Sequence, residues 1–421
     1  MLTKVRLGAL VTIFALLSIT MLSSAPVHGD LLLTSVTAGG WFGTGATVDN
    51  EGSLIVVGSS VPFSQGTSQE YFFKYVPSPP DSPLLHRTCM GTCGGGEPLE
   101  TYGYAAATDS SDSFYITGTT QTFGGEDFDV FLQKYTSSCT LLFTLQWGGA
   151  GNDVPHGLAI DSSNNLYVAG SSNSFGNGVT QTFLLKYDTF GELQFSRTWG
   201  SKNSFGNGVA VDNLGNVYVV GTTTINGGIP QILLLKYDSS GNLLNETTWG
   251  GTQNGYGSYG TGVAVDNAGD VYVTGYTYSN GPTPGVSAAV LLKYDVTGKL
   301  VSQVIWGGTR PDYATAVAVD IDGNVYVTGY TKSFSITPGI PSVFLQKYDQ
   351  AGNLLFQRIW GGNRGDFAYG IAVDLWENVY LTGYTYSFGP NTQGANFFIL
   401  KYDIAGNLVF QNLYGGGTPD P

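Results

Sequence analysis

The sequence predicts an all-β fold, a seven-bladed β-propeller of four-stranded antiparallel blades, and three observations lead there. One phrase, an apolar-Asp tetrad followed by a turn and an apolar strand ending in Gly, recurs at Asp49, Asp109, Asp161, Asp212, Asp266, Asp320 and Asp374. A second phrase follows each first one, as FFKYV, FLQKYT, FLLKYD, LLLKYD, VLLKYD, FLQKYD and FILKYD. The third observation is composition: 61 Gly and 26 Tyr among 421 residues, with abundant Thr, Ser, Val and Asn. β-Branched and aromatic residues fit a pleated surface, and Gly punctuates it. Successive aspartates lie 60, 52, 51, 54, 54 and 54 residues apart, a spacing of repeat architectures. Seven copies fill the chain beyond residue 30 and leave no room for a second domain.

In chain order, residues 1–29 read as a signal peptide. Lys4 and Arg6 precede an almost uncharged apolar run, Leu7 to Leu22, and a short polar region ends at Val27-His28-Gly29. The run is short for a membrane span, which takes about 20 residues. The mature chain is expected to start near Asp30 and to be secreted or displayed at the cell surface. Membrane attachment would come only from an uncleaved N-terminal segment. Next, Leu31 to Gly40 (LLLTSVTAGG) resembles an outer strand with no blade of its own. It is expected to add as a fifth strand on the edge of the last blade, or to pair with a neighbouring molecule. The C-terminal strand, Leu408 to Gly416, should keep the ordinary fourth place in that blade, because its hairpin loop is short.

The domain spanning residues 30–421 then divides into blades near residues 43–97, 101–149, 155–201, 206–251, 260–308, 314–362 and 368–417. Strand a of each is the apolar-Asp phrase, strand b the NVYVTG phrase, strand c the Lys-Tyr phrase. Strand d ends most copies in Trp-Gly, at Trp147, Trp199, Trp249, Trp306 and Trp360, with Tyr414 in the last copy and Cys89 in the first. The a–b and c–d connections read Asp-x-x-Gly-Asn, where Asp accepts backbone N–H groups and Gly supplies positive φ. Strands a to c are apolar at nearly every position, so both faces of each sheet must be covered. Four-stranded units of that kind close into a ring.

The phrases GVAVDxxGNVYVTG, LLKYDxxGNL and WGGxxxDYA resemble the SBBP repeat, a relative of NHL-type propeller repeats. The resemblance covers the chain after residue 29 and is most specific in copies 3 to 7. In copy 1, Pro77-Ser78-Pro79-Pro80 replaces the c–d turn and Cys89-Met90 the Trp-Gly. The family implies the propeller fold and an extracellular setting, and no catalytic residue set to carry over. In such propellers strand a lines the central channel, the a–b and c–d turns form the bottom, and the longer b–c and d–a connections form the top. The top connections vary among copies, and variable loops on a rigid scaffold are where binding usually lives.

Residue chemistry narrows the function classes. With 17 basic and 31 acidic residues the net charge is −14, the wrong sign for a nucleic-acid binder. Three Cys and three His leave little for metal or nucleophile chemistry, and no cofactor, metal or catalytic set is expected. Cys89 and Cys93 are expected to pair, with Cys139, in the bottom c–d turn of copy 2, a free thiol. The repeated lysine, Lys74 to Lys401, and the turn aspartates read as scaffold. Asp320-Ile321-Asp322 lacks the bidentate acid of a calcium loop. Arg364-Gly365-Asp366 spells an adhesion tripeptide, yet Asp366 holds the same repeat place as Asp153 and Asp312. His156 and Asp153, placed on an inter-blade connection, offer a base and an orienter but no nucleophile. Asn245 opens a glycosylation sequon.

Aromatics on the top connections, Tyr256, Tyr259, Tyr278, Tyr313, Phe334, Phe367, Tyr369, Tyr386 and Phe388, are the candidate ligand-binding residues, since flat rings with polar tips suit sugars or a protein partner. Tyr276, Tyr330 and Tyr384 are expected to extend strand b. Strand a is expected to offer only Val, Ala, Ile, Thr and Gly toward the channel, which favours a non-enzymatic binding or structural module contacting an extracellular glycan or envelope protein. The alternative is a secreted lyase or hydrolase acting on extracellular polysaccharide.

Overall fold

A computed structural model describes residues 40–61, 69–75, 86–87, 100–121, 127–176, 178–225, 228–251, 256–390 and 394–414. Seven four-stranded antiparallel sheets follow one another along the chain, each ordered a-b-c-d without crossover. The a strands, the inner ones, are Gly40–Val48, Thr101–Thr108, Asp153–Ile160, Ser204–Val211, Ser258–Val265, Asp312–Val319 and Asp366–Val373. The outer d strands are His86–Arg87, Leu141–Trp147, Leu193–Trp199, Leu243–Trp249, Leu300–Trp306, Leu354–Trp360 and Leu408–Tyr414. Among the described residues there is no helix.

The bottom turns are built as their residues dictate. At Asp212, one carboxylate oxygen accepts the N–H groups of Leu214 (2.9 Å) and Asn216 (2.8 Å), while the other accepts the Asn216 amide (2.7 Å) and the Tyr218 hydroxyl (3.1 Å). Gly215, at φ 80°, makes the left-handed step that only glycine takes without strain. The same place in blades 2, 3 and 7 is held by Asp112, Asn164 and Glu377, also at positive φ.

Burial follows the ring. Strands a to c are covered on both faces, and strand d alternates exposed and half-buried residues. The core lies in the seams: between blades 3 and 4 it is Ala159, Tyr167, Ala169, Leu184, Phe195, Val209, Val219, Leu233 and Leu235. Each large apolar side chain removed from water contributes about 1.5–3 kcal/mol.

Closure uses the same packing. Ala46, Val48, Leu54 and Val56 of blade 1 meet Ala372, Tyr380, Phe397 and Ile399 of blade 7. Blade 7 keeps its own outer strand, with Phe397 opposite Tyr414 and Tyr402 opposite Leu408, as the short hairpin loop predicts. Among the described residues no strand is exchanged between the first and last blades. Gly40 begins strand a of blade 1, opposite Val61, and the remainder of the Leu31–Gly40 segment lies outside the described residues.

The cysteines correct the expectation. Cys139 is disulfide-bonded and therefore not a free thiol. The chain's other two cysteines are Cys89 and Cys93, so one of them is its partner and the expected Cys89–Cys93 bond gives way, although both lie outside the described residues. Register explains the error. His86 stands opposite Tyr75 and Arg87 opposite Lys74, so strand d of blade 1 starts at the bottom only three residues before Cys89. The sequence reading instead placed strand d by setting Cys89 in the place of the Trp, in the one copy that lacks the tight c–d turn before it. Cys139 itself sits at the foot of the seam between blades 1 and 2, packed on the cluster of Ile55, Val57 and Phe72.

Candidate functional site

Every strand a carries a β-bulge at the same repeat position, five residues before the turn aspartate. The bulged residues are Thr44, Tyr104, His156, Asn207, Thr261, Thr315 and Tyr369. A bulge adds one residue against its partner strand and re-aims that side chain. Here five of them bond the inner strand of the next blade. Thr44 donates to Gly103 O (2.7 Å), Asn207 to Gly260 O (2.7 Å), Thr261 to Ala314 O (3.0 Å) and Thr315 to Ala368 O (2.9 Å); His156 Nδ1 lies 2.8 Å from Gly206 O. Tyr104 instead sets its ring against the His156 ring at 5.9 Å, and the Tyr369 hydroxyl lies 3.4 Å from that of Tyr384. The result is a polar belt around the inner strands. The residue after the bulge is small because a neighbouring backbone fills the space: a side chain at Gly157 would meet Val209 N at 2.7 Å.

This belt revises the reading of strand a, which presents His, Asn and Tyr as well as Val, Ala, Ile, Thr and Gly. His156 lies within strand a of blade 3, not on a connection. Burial pushes the imidazole down to about 4, so it is neutral near pH 7. Asp153 is bonded elsewhere, to Gly149 N (2.9 Å) and Ser174 Oγ (2.6 Å), so no base-and-orienter pair forms. Asp153 faces Asp129 instead. A side chain at Gly148 would lie 1.9 Å from Asp129 Oδ1 and 2.8 Å from Asp153 Oδ2. Burial first, then mutual repulsion and the charge of Asp127, holds the Asp129 carboxyl above the usual range.

The repeated lysines stitch the bottom. Lys186 Nζ reaches Ser239 O (2.8 Å), Lys236 reaches Val296 O (2.8 Å) and Lys293 reaches Gln350 O (3.0 Å), each on the c–d turn of the next blade. Each of these ammonium groups also lies over a strand-b tyrosine, as Lys236 does over Tyr218 at 5.3 Å. In blade 1 Lys74 Nζ makes the same reach, to Ser137 O (3.1 Å), and adds a buried ion pair with Asp49 of its own blade at 2.6 Å.

On the top, the candidate aromatics of blades 5–7 join into one arc. Tyr259 stacks on Tyr276 (4.9 Å), which meets Tyr313 edge-on (4.8 Å); Tyr313 packs on Tyr330 (4.9 Å), Tyr330 on Phe367 (4.9 Å) and Phe367 on Tyr384 (5.0 Å). Tyr276, Tyr330 and Tyr384 do belong to strand b, whereas Tyr259, Tyr313 and Phe367 lie in strand a, one residue past its start, and not on the connections where the sequence placed them. Tyr278 and Tyr386 stand edge-on over the arc, and the Tyr278 hydroxyl lies 3.3 Å from that of Tyr313. Burial raises Tyr276, Tyr278 and Tyr330 above the ordinary phenol range and Tyr384 to about 12, so all remain neutral hydroxyls. In blades 1–4 the corresponding strand-b positions are Ser59, Thr119, Ser171 and Thr222. The mouth of the ring is thus aromatic on one side and hydroxylic on the other.

The other candidates separate from this arc. Phe334 stacks on Trp306 (4.7 Å) and Phe388 packs on Trp360 (5.1 Å), a pairing that Phe175 and Trp147 repeat (5.1 Å). Tyr256 is exposed, with its hydroxyl against Gly285. Tyr369 is buried at the belt level beneath Tyr384 and is no loop residue. Asp366 is wholly buried and accepts from Gly362 N (2.8 Å), Ser387 Oγ (2.8 Å) and Thr385 Oγ1, so Arg364-Gly365-Asp366 presents no free carboxylate. Asp320 is occupied by its own turn, accepting from Asp322 N and from Asn324 and Tyr326. Asn245 is half-buried, its amide against Gly298 of the next blade.

The comparisons with known proteins agree with this architecture. Residues 142–177, 198–228, 250–282, 305–334 and 356–389 match the SBBP beta-propeller repeat. An uncharacterised WD repeat-containing protein, L264, of Acanthamoeba polyphaga mimivirus is 25% identical over 186 residues, 37% of this chain. The match spans only 13% of that protein's length. Two solved structures share the fold. Sqt1 of Chaetomium thermophilum superposes with a TM-score of 0.52 at 11% identity, covering 93% of this chain and 91% of its own. The β-propeller domain of the trilobed protease of Pyrococcus furiosus, described as having an open velcro topology, gives 0.51 at 11% identity, covering 89% and 100%. With five matched repeats and seven blades of one plan, the chain is a seven-bladed β-propeller of the SBBP repeat family.

Proposed function

We propose that this chain is a secreted or cell-surface binding module, without catalytic activity, that holds an extracellular glycan or an envelope protein on its top face. The observation that carries the reading is the half-buried aromatic arc from Tyr259 to Tyr386. It joins three blades, carries phenol hydroxyls and lies where the repeats differ most. Rings of this kind combine apolar contact area with a hydrogen-bonding tip at little entropic cost. The titratable groups near the inner strands support a non-enzymatic reading. His156, Asp312 and Asp366 spend their hydrogen bonds on the scaffold. A lyase or hydrolase would need an acid and a base converging on open space.

The test is binding of the mature chain to a panel of extracellular polysaccharides and envelope proteins. Tyr278→Ala and Tyr386→Ala should weaken the selected partner at least tenfold, while Leu214→Ser on the exposed bottom should not. Equal loss from Leu214→Ser would refute the top-face reading, and turnover of any polysaccharide would refute the non-enzymatic one.

A further inference from the structure

The distribution of charge on the top face deepens that reading and rests on it. The chain carries nearly twice as many acids as bases, yet the top connections of blades 4–7 reverse the balance. Between Gly200 and Asn396 these connections contain Lys202, Arg310, Lys332 and Arg364 and no acid, and the nearest acids are Asp312 and Asp366, which open the a strands that follow. Both are wholly buried, each accepting scaffold hydrogen bonds, and so add no carboxylate to the surface. The remaining acids of this half lie at the bottom turns, apart from Glu246 on an outer strand.

Three of the cations share one repeat position. Lys202, Arg310 and Arg364 stand ten residues before the turn aspartate, with Tyr256 at the same place in blade 5, and all four are exposed. Lys332 takes the position that Tyr278 and Tyr386 hold in blades 5 and 7, two residues beyond Tyr330 and just past the end of strand b. The Arg310 and Lys332 segments are clamped together: Lys332 N donates to Pro311 O (3.0 Å), Arg310 N to Ser333 Oγ (3.1 Å), and Ser333 Oγ to Arg310 O (2.7 Å). The guanidinium of Arg310 lies over Gly339 of the b–c loop. Neither the Arg310 nor the Lys332 side chain makes an ion pair among the described residues.

We infer that the top face of blades 4–7 binds an acidic, uronate-bearing polysaccharide. The phenols and exposed rings of Tyr256 and Phe334 supply contact for sugar faces, while Arg310 and Lys332 take the carboxylates. Guanidinium and ammonium groups left unpaired in an otherwise acidic surface select an anion, and Arg fits a carboxylate with two parallel hydrogen bonds. The repeat geometry favours a polymer. Arg310 and Arg364 hold one position in the successive blades 6 and 7, so their cations recur at the angular step of the ring, as carboxylates recur along a uronate chain. An acidic peptide would use the charges but leave the aromatic arc without a stacking partner.

The test measures binding of the mature chain to polygalacturonate, to neutral galactan and to poly-L-glutamate, each at 50 and 500 mM NaCl. Polygalacturonate should bind at least tenfold more tightly than the other two and weaken severalfold at high salt. The double variant Arg310→Gln/Lys332→Gln should lose at least fivefold, with an unchanged melting temperature as the folding control. Lys299→Gln, which removes one positive charge from an exposed bottom turn, should lose nothing. Galactan binding as tight as polygalacturonate and insensitive to salt would overturn the acidic class and leave the glycan reading standing. Poly-L-glutamate binding equally well would overturn the sugar requirement. Binding to none of the three would overturn both this inference and the glycan reading beneath it.

Discussion

His156 gives the polar belt a measurable signature. Its ring is buried, Nδ1 bonds Gly206 O, and burial lowers its pKa from an ordinary 6.5 to about 4. A base whose folded pKa is depressed is penalised in acid: the unfolded chain takes up a proton below about pH 6.5 and the folded chain does not until about pH 4. Stability attached to this group is therefore intact above pH 6.5 and falls progressively to pH 4. The loss amounts to about 3 kcal/mol, at ~1.4 kcal/mol per unit. The substitution that isolates it is His156→Asn, because Asn207 fills the same bulge in the next blade and makes the same bond. A unit of about 375 residues has an unfolding entropy near 0.8 kcal/mol/K, so 3 kcal/mol corresponds to about 4 °C. Differential scanning calorimetry at pH 7.5, 5.5 and 4.0 should give equal melting temperatures at pH 7.5 and a variant about 4 °C above the wild type at pH 4.0. Parallel curves for the two proteins would refute the assignment of a buried, neutral His156 to the belt.

Three further outcomes follow from other seams. Thr315→Val keeps the shape but removes the hydroxyl shared by Ala368 O (2.9 Å) and Thr328 O (3.1 Å); leaving a buried carbonyl unpaired costs about 1–2 kcal/mol. Calorimetry should show a fall of about 2 °C, and no change would mean the belt is not cohesive. Asp129→Asn puts a neutral side chain where blades 3, 4, 6 and 7 have Gln181, Gln231, Ser342 and Asn396. Because the folded pKa of Asp129 is raised, its ionisation costs stability above the ordinary carboxylate range. The variant should be the more stable protein at pH 7.5, with its advantage shrinking toward pH 4; destabilisation at pH 7.5 would contradict the raised pKa. Cys139→Ser removes a cross-link closing roughly 50 residues, worth about 4 kcal/mol in the chain-entropy model. Urea unfolding should register that loss, and non-reducing peptide mapping that links Cys89 to Cys93 would contradict it.

The blade plan was legible because seven copies of one phrase repeat the same turn chemistry. Asp212, Asn216, Gly215 and Tyr218 each state a local requirement, and the structure meets every one. The belt was not legible in any single copy, since Thr, Tyr, His and Asn share neither charge nor size. It shows only when the residue five before each turn aspartate is read as a column, and a bulge is needed to explain why polar groups occupy an inner strand. Counting from the Trp failed in blade 1 because the tight c–d turn is absent there. Without that turn the strand register, and with it the reach of Cys89, was not fixed by spacing. The aromatic arc was half legible. The rings were identifiable by their place after strand b, but Tyr369 belongs to the bulge column and only geometry separates it.

Seven copies of one unit also act as controls for one another. The columns that barely change, the turn aspartate, the strand-b tyrosine and the strand-c lysine, are the ones whose polar atoms bond within or between blades at the bottom. A ring built only from such columns would present seven equivalent surfaces and could not orient an asymmetric ligand. Asymmetry enters where columns diverge: Ser or Thr becomes Tyr near the top end of strand b in blades 5–7, and Tyr becomes Lys at position 332. Both changes fall on the top, on the same three blades. Substitutions that merely drifted would scatter around the ring and between its faces. On the proposed binding reading, their concentration in one sector puts selectivity there, with the bottom turns left to hold the seams.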